Sequence, residues 1–326
     1  MATQTLIRFG YAISSKCIYR SRIPSDTILF SLTLIVRMRL ALLNVDPVMI
    51  GNYFTDEFRQ PRATHIFFKG LVLYTLVKIV LAWQISAAMV ANHNLPAPGS
   101  WAGKILLLPT MLAGINVHAF YFAAMTLLVL AFLLKPYYVT RLLFFYLTFN
   151  LYVINLPIAN GSDIVLFMLS FWSILMGRFP SITIQRKTDY QKMIFNLGLV
   201  LCQLQIVNVY LVSGLDKLFS ETWRSGESLA YITHLDFYYN PVLPEMFEND
   251  SINFILSWCT ILFELLFVAL VWTKRARLPI LAIGVLFNLF VWIVLSIPDF
   301  ALLMIISFLI FLKDEDYDKL KKRIRP

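Results

Sequence analysis

The stretch MIFNLGLVLCQLQIVNVYLVSGLDKLFSETWRSG, residues 193–226, decides how the chain is read. Residues 193–213 contain no Asp, Glu, Lys or Arg. A helix needs about 20 mostly apolar residues to cross the hydrocarbon core of a bilayer. The run closes on one lysine, Lys217, about where such a helix leaves the bilayer. Gln203, Val207, Tyr210, Gly214 and Lys217 recur at steps of four, three, four and three, which places them on one helical face. Polar groups in a bilayer normally face the bundle interior or a wet cavity. Gly214, one turn before Lys217, leaves room for a group to approach the ammonium. Two readings of Lys217 follow. Either it is a helix-end anchor that snorkels to water and pairs with Glu221 four residues on, or it is a base held at a dry site that disfavours an ammonium.

Working outward, the whole chain has the same character. Of its 326 residues, 59% are hydrophobic and 14% charged, with a mean hydropathy of +0.71. Soluble domains carry about 25% charged residues. The composition predicts an all-α, polytopic transmembrane bundle, with the lipid bilayer as first partner and the cell (plasma or inner) membrane as location. Eight spans are expected: 66–88, 116–134, 138–157, 160–177, 193–213, 252–272, 278–296 and 299–313. The apolar segment 28–43 carries Arg37 and Arg39 and reads as an interfacial helix or a ninth span.

Positive charge tests the count, because cytoplasmic loops collect Lys and Arg. Segments 1–65, 135–141, 177–192, 273–277 and 313–326 hold eight, two, four, three and six of them, 23 of the chain's 28. The opposite side receives Lys104, Lys217 and Arg224, while Lys69 and Lys78 fall inside the first span. Both termini are therefore expected in the cytoplasm. The division is an N-terminal cytoplasmic or interfacial segment 1–65, a bundle 66–313 and a charged, solvated tail 314–326. Residues 92–103, NHNLPAPGSWAG, read as an outer loop. Residues 1–25 are basic and polar, without the apolar core of a signal peptide.

Several function classes fall away. The basic residues sit in separate turns, not in one aromatic-interleaved groove, so no nucleic-acid partner is expected. The three cysteines and four histidines are scattered, which argues against a disulfide framework or a metal site. No inverted repeat supports a transporter.

The outer segment 213–251 is the longest on its side and holds seven of the 19 acids together with Trp223, Tyr231 and Phe247. Its run HLDFYYNP, 234–241, either lines a cleft mouth or lies at the interface. Asp163, in NGSD, reads as a helix cap or a site residue. Glu264, deep in the sixth span, is protonated, paired or turned to a cavity. Asn288 reads as interhelical glue, and Asp299 as the cap of the last span.

YLVSGLDKLFSETWRSGESL, 210–229, resembles the tyrosine–glycine–lysine–leucine–tryptophan–glycine signature of the HTTM family, and NGSDIVLFMLSFW resembles the family's Gly-Asp turn. That family includes the membrane domain of vitamin K-dependent gamma-carboxylase. The resemblance implies that Lys217 deprotonates a reduced vitamin K-type quinol in an outward-facing pocket. The pocket would be built from Gln203, Tyr210, Gly214, Trp223, Gly226, Glu221, Asp163, Glu264 and Asn288. It departs from the carboxylase in three places: Asp216 stands at the first position of a lysine pair, Gly161 or Ser162 replaces a histidine, and Asn288 lies where another histidine is found. The carboxylase's large lumenal domain has no counterpart. In size and layout the chain is closer to bacterial relatives that help mature a secreted, sporulation-delaying peptide toxin. The resemblance thus implies an exported peptide, or a partner protein supplying the outer domain, as a further partner. A non-enzymatic maturation, immunity or scaffold role stands as the alternative.

Overall fold

The computed structural model describes residues 54–55, 57–92, 99–134, 137–177, 185–233, 247 and 249–318. All lie in the compact unit Asn44–Pro326. Segment 28–43 and the run 234–241 lie outside the described residues. Among the described residues there is no β-strand.

Twelve α-helices are described: α1 (Pro61–Asn92), α2 (Trp101–Leu106), α3 (Leu108–Ile115), α4 (Val117–Leu133), α5 (Tyr138–Ile154), α6 (Gly161–Ser173), α7 (Gln185–Phe219), α8 (Glu221–Ser225), α9 (Glu227–Thr233), α10 (Asp250–Leu270), α11 (Arg277–Leu295) and α12 (Pro298–Ser307). Short 3-10 turns prolong α6 through Ile174–Met176 and α12 through Phe308–Phe311. A helix covers each of the eight segments expected to span. Four are long and apolar enough to cross a membrane: Pro61–Leu81, Asp189–Phe219, Asp250–Leu270 and Arg277–Leu295. Shorter apolar helices occupy Val117–Leu133, Tyr138–Ile154, Gly161–Met176 and Pro298–Phe311.

Local sequence sets the helix starts. Asn116 accepts from the Ala119 amide at 3.0 Å, Asn249 from the Ser251 amide at 3.0 Å, and Ser100 from the Gly103 amide at 3.1 Å. Each satisfies an amide that the helix itself leaves without a partner. Asn160 and Asp163 form a reciprocal capping box at α6: the Asp163 carboxylate accepts from the Asn160 amide at 3.0 Å.

The central element is α7, which packs against α6 and α10. About two-thirds of its apolar stretch is buried, against little more than a quarter of α11's. Tyr210 anchors this core at 2% exposure, with the rings of Phe267, Phe263 and Phe308 centred 4.5, 5.6 and 6.2 Å away. On the other side, α1 packs against α4 and α12.

Three expectations change. The loop placed at 92–103 gives way to α2, which Ser100 caps, and α3 follows it directly. Pro109 sits in the first turn of α3, where its missing N–H is no loss. The outer segment 213–251 is helical through Thr233: α7 continues to Phe219, and α8 and α9 follow. Nor is the acidic part of the tail solvated. Residues 314–318 form a helical turn in which Asp316 is 6% exposed and pairs with buried Arg277 at 2.6 Å. Arg277 opens α11 inside protein, so it requires a counter-charge. Asp314 accepts from the Ala63 amide at 3.3 Å, at the start of α1, and Asp318 pairs with Arg62 at 2.5 Å.

Candidate functional site

Lys217 lies two residues from the end of α7, but its side chain does not run out to water. Its ammonium donates to both carboxylate oxygens of Glu264, each at 2.9 Å. Ser213, one turn back on α7, ties the pair together. Its hydroxyl accepts from the Lys217 ammonium and donates to Glu264 Oε1 at 3.0 Å. The ring of Trp223, from α8, covers the ammonium with its centroid 5.1 Å away. The lysine side chain is 16% exposed and the glutamate side chain 5%.

Backbone contacts explain the enclosure. A Cβ on Gly214 would stand 3.1 Å from Glu264 Cβ and 3.0 Å from Leu265 Cδ2. The space expected beside the ammonium is thus taken by α10 itself. Farther out, a Cβ on Gly226 would meet the Phe254 amide nitrogen at 2.7 Å, and Gly226 adopts φ +91°. A side chain is excluded there both by the backbone conformation and by the contact. From Glu264 to Asn253, beside Gly226, α10 rises eleven residues, about 16 Å. The pair therefore lies well below the outer end of α10, under α8 and α9.

The buried face of α7 continues from the pair. Tyr210 Oη accepts from Asn288 Nδ2 at 2.9 Å, and the same nitrogen donates to the Gly284 carbonyl at 2.7 Å. Asn288 is fully buried, which joins α11 to α7. Gln203 donates to the Ile310 carbonyl at 3.0 Å, closing a group that the 3-10 turn leaves open. Gln203, Val207, Tyr210 and Gly214 are all buried. The structure thus gathers Tyr210, Gly214, Lys217, Trp223, Glu264 and Asn288 along one seam between α7, α10 and α11. Glu221 is exposed in the first turn of α8, and the acid on Lys217 is Glu264 instead. A carboxylate in a neighbouring helix meets the ammonium without extending it to the interface.

Asp163 belongs elsewhere. Besides capping α6, it pairs with Lys78 of α1 at 2.7 Å. Lys78 also donates to Ser162 Oγ at 2.8 Å and lies 3.6 Å from Asp299. Asp299, in the first turn of α12, accepts from Asn160 Nδ2 at 2.6 Å and from Ser162 Oγ at 2.9 Å. This second polar cluster joins the starts of α6 and α12 to the middle of α1. Sequence reasoning placed Lys78 inside the first span without a role. A lone lysine amid an apolar run was the available signal, since such a charge demands an acid from another helix. Ser213 was missed as well, although it stands one turn before Lys217 on the same helix.

Among the described residues no three His, Cys, Asp or Glu side chains group as metal ligands. What the Lys217 cluster offers is a proton donor and a proton acceptor in contact, bridged by a hydroxyl and shielded by an aromatic face.

The family model described as HTTM domain matches residues 107–315, from the start of α3 through the turn after α12. No curated protein matches the chain, and no solved structure matches it.

Proposed function

The chain belongs to the HTTM domain family, and from that premise we propose a multi-pass membrane enzyme in which Lys217 and Glu264 move a proton for a quinol-like amphiphile. The carrying observation is the contact itself: an ammonium, a carboxylate and a hydroxyl mutually hydrogen-bonded beneath Trp223. Eight crossings with cytoplasmic termini place this cluster on the outer side, where an exported peptide could be modified.

As an ion pair, Lys217 holds its proton. Transfer of that proton over 2.9 Å to Glu264 leaves an amine and a carboxylic acid. In a medium of low polarity a neutral pair is disfavoured far less than in water, because ion solvation is weak there. The amine then accepts a hydroxyl proton and returns to the ammonium, which the Trp223 face stabilises. Ser213 holds both partners through the exchange. The donor set fits a reduced vitamin K-type quinol: a base for one hydroxyl and aromatic faces for a ring. Such a quinol, when bound, supplies reducing equivalents to oxygen.

Reduced vitamin K-type quinol, incubated in air with the protein in lipid nanodiscs, tests the proposal through its consumption. Lys217→Ala alone leaves Glu264 buried without its cation, so the informative variant is Lys217→Met with Glu264→Gln. Consumption should fall to the protein-free rate while the folded fraction is kept. A double variant as fast as the parent protein rules out the pair as the base.

One observation favours a second reading. Glu264 satisfies Lys217 completely, and Gly214 admits α10 in place of a ligand. As a packing element, the pair would serve a non-enzymatic maturation, immunity or scaffold protein for an exported peptide or partner subunit. No quinol consumption by the parent protein would select it.

A further inference from the structure

The largest described cavity lies apart from the Lys217 cluster. It measures about 870 Å³ and is formed by α8, α9 and the start of α10. Two carboxylates line it, Glu227 and Asp250, with the hydroxyls of Thr222, Ser225 and Ser228. The Tyr231 ring, 69% exposed, stands at its wall. No lysine or arginine lines it, and among the described residues neither carboxylate is paired with a cation.

Both acids stand in the first turns of α9 and α10, and this position alone accounts for exposed carboxylates. Asn253 is the independent sign of a ligand. It lines the same cavity, is 1% exposed, and donates through Nδ2 to the Phe247 carbonyl at 2.7 Å. Its Oδ1 is buried and has no hydrogen-bond partner. A buried acceptor left unmade costs about 1–3 kcal/mol, and a donor brought into the cavity would relieve it.

We propose that this cavity binds a peptide segment through a primary ammonium or guanidinium group. The cation meets Glu227 and Asp250, its N–H groups supply the donor that Asn253 lacks, and the Tyr231 face adds a cation–π contact. An aminophospholipid carries the same ammonium, but its phosphate would enter a cavity whose charged groups are all carboxylates. The volume is also in the range of sites that enclose a ligand, about 300–1,000 Å³, larger than an ethanolamine group requires. No metal reading competes, since the described residues contain no set of three ligating side chains. The site does not depend on Lys217 and stands whether or not quinol chemistry does.

The test uses the full chain in phosphatidylcholine nanodiscs. The probe is a fluorescent pentapeptide, Gly-Lys-Gly-Lys-Gly, with blocked ends, against the same peptide acetylated on both lysines. The unmodified peptide should bind saturably and the acetylated one at least tenfold more weakly. Glu227→Gln with Asp250→Asn should weaken binding at least tenfold, and these exposed positions keep the fold intact. Asn253→Leu should weaken it further, whereas Lys217→Met with Glu264→Gln should leave it unchanged. Equal binding of the acetylated peptide, no saturable binding, or indifference to the carboxylate changes overturns the proposal. Displacement of the peptide by added phosphatidylethanolamine also overturns it, in favour of a lipid site.

Discussion

At the scale of the residue, the decisive fact is that Lys217 has a buried partner from another helix. Breaking a buried ion pair by removing one member leaves an uncompensated charge and costs about 3–5 kcal/mol. Lys217→Met and Glu264→Leu should each destabilise the protein by that amount in unfolding titrations in micelles. The double replacement should recover most of the loss, because two apolar side chains leave no charge behind. Additive losses would show that the two side chains do not interact in the folded protein. One turn pair deeper, Tyr210→Phe removes a single neutral hydrogen bond at 2.9 Å. Asn288 keeps its bond to the Gly284 carbonyl, so the loss should be only about 0.5–1.5 kcal/mol. The spacing from Gln203 to Lys217 was legible because helical period alone fixes which residues share a face. The partner was not: Glu264 lies 47 positions away, and only the packing of α10 into the gap at Gly214 brings it there. For Glu264 the sequence left three states open, and the contact selects pairing. Lys78 with Asp163 and Asp299 was hidden for the same reason, since its acids come from α6 and α12.

At the scale of the element, ends carry more information than middles. Hydropathy located the eight apolar segments because each needs a long uncharged run, yet it was blind to α2 and α3. Pro96, Pro98 and Pro109 made that region look like a broken loop. A proline in a first turn permits the helix that it would break in an interior. The tail misled in the opposite way. A dense charge run reads as solvated, but Asp314, Asp316 and Asp318 are each engaged by groups at the starts of α1 or α11. Residues 314–318 therefore act as a clasp between two helix starts that are far apart in sequence. Asp316→Ala should leave Arg277 buried without its counter-charge and lower the midpoint of thermal unfolding in detergent. Arg277→Met together with Asp316→Leu should be tolerated better than either change alone. Protease cutting near the start of α11 gives the second readout, and it should quicken in the Asp316→Ala variant only. Unchanged unfolding and cutting would mean that the clasp adds nothing to the fold.

At the scale of the whole molecule, four helices are long enough to cross by length alone, whereas charge parity asks for eight crossings. The two counts can be reconciled physically. Helices α4 and α5, at 17 residues each, extend about 26 Å, close to the roughly 30 Å of the hydrocarbon core. The last helix is shorter, but Ala301, Leu303 and Met304 on it are fully buried. An element enclosed by protein need not match the lipid thickness, because its backbone ends are satisfied by neighbours. The two counts disagree about specific residues, so labelling decides between them. With the amino terminus inside and only α1, α7, α10 and α11 crossing, Ser225 faces the cytoplasm and Lys274 the exterior. With eight crossings those two exchange sides, while Ser100 stays outside and Glu315 inside in both cases. Single cysteines at these four exposed positions, with Cys17, Cys202 and Cys259 replaced by serine, should be read with a membrane-impermeant maleimide on intact cells. Eight crossings require that Ser100→Cys and Ser225→Cys label before lysis, and Lys274→Cys and Glu315→Cys only after it. Labelling of Lys274→Cys from outside would place the Lys217 cluster near the cytoplasmic face. An exported peptide could not reach it there, and the proposed outer chemistry would fail for geometric reasons before any catalytic one.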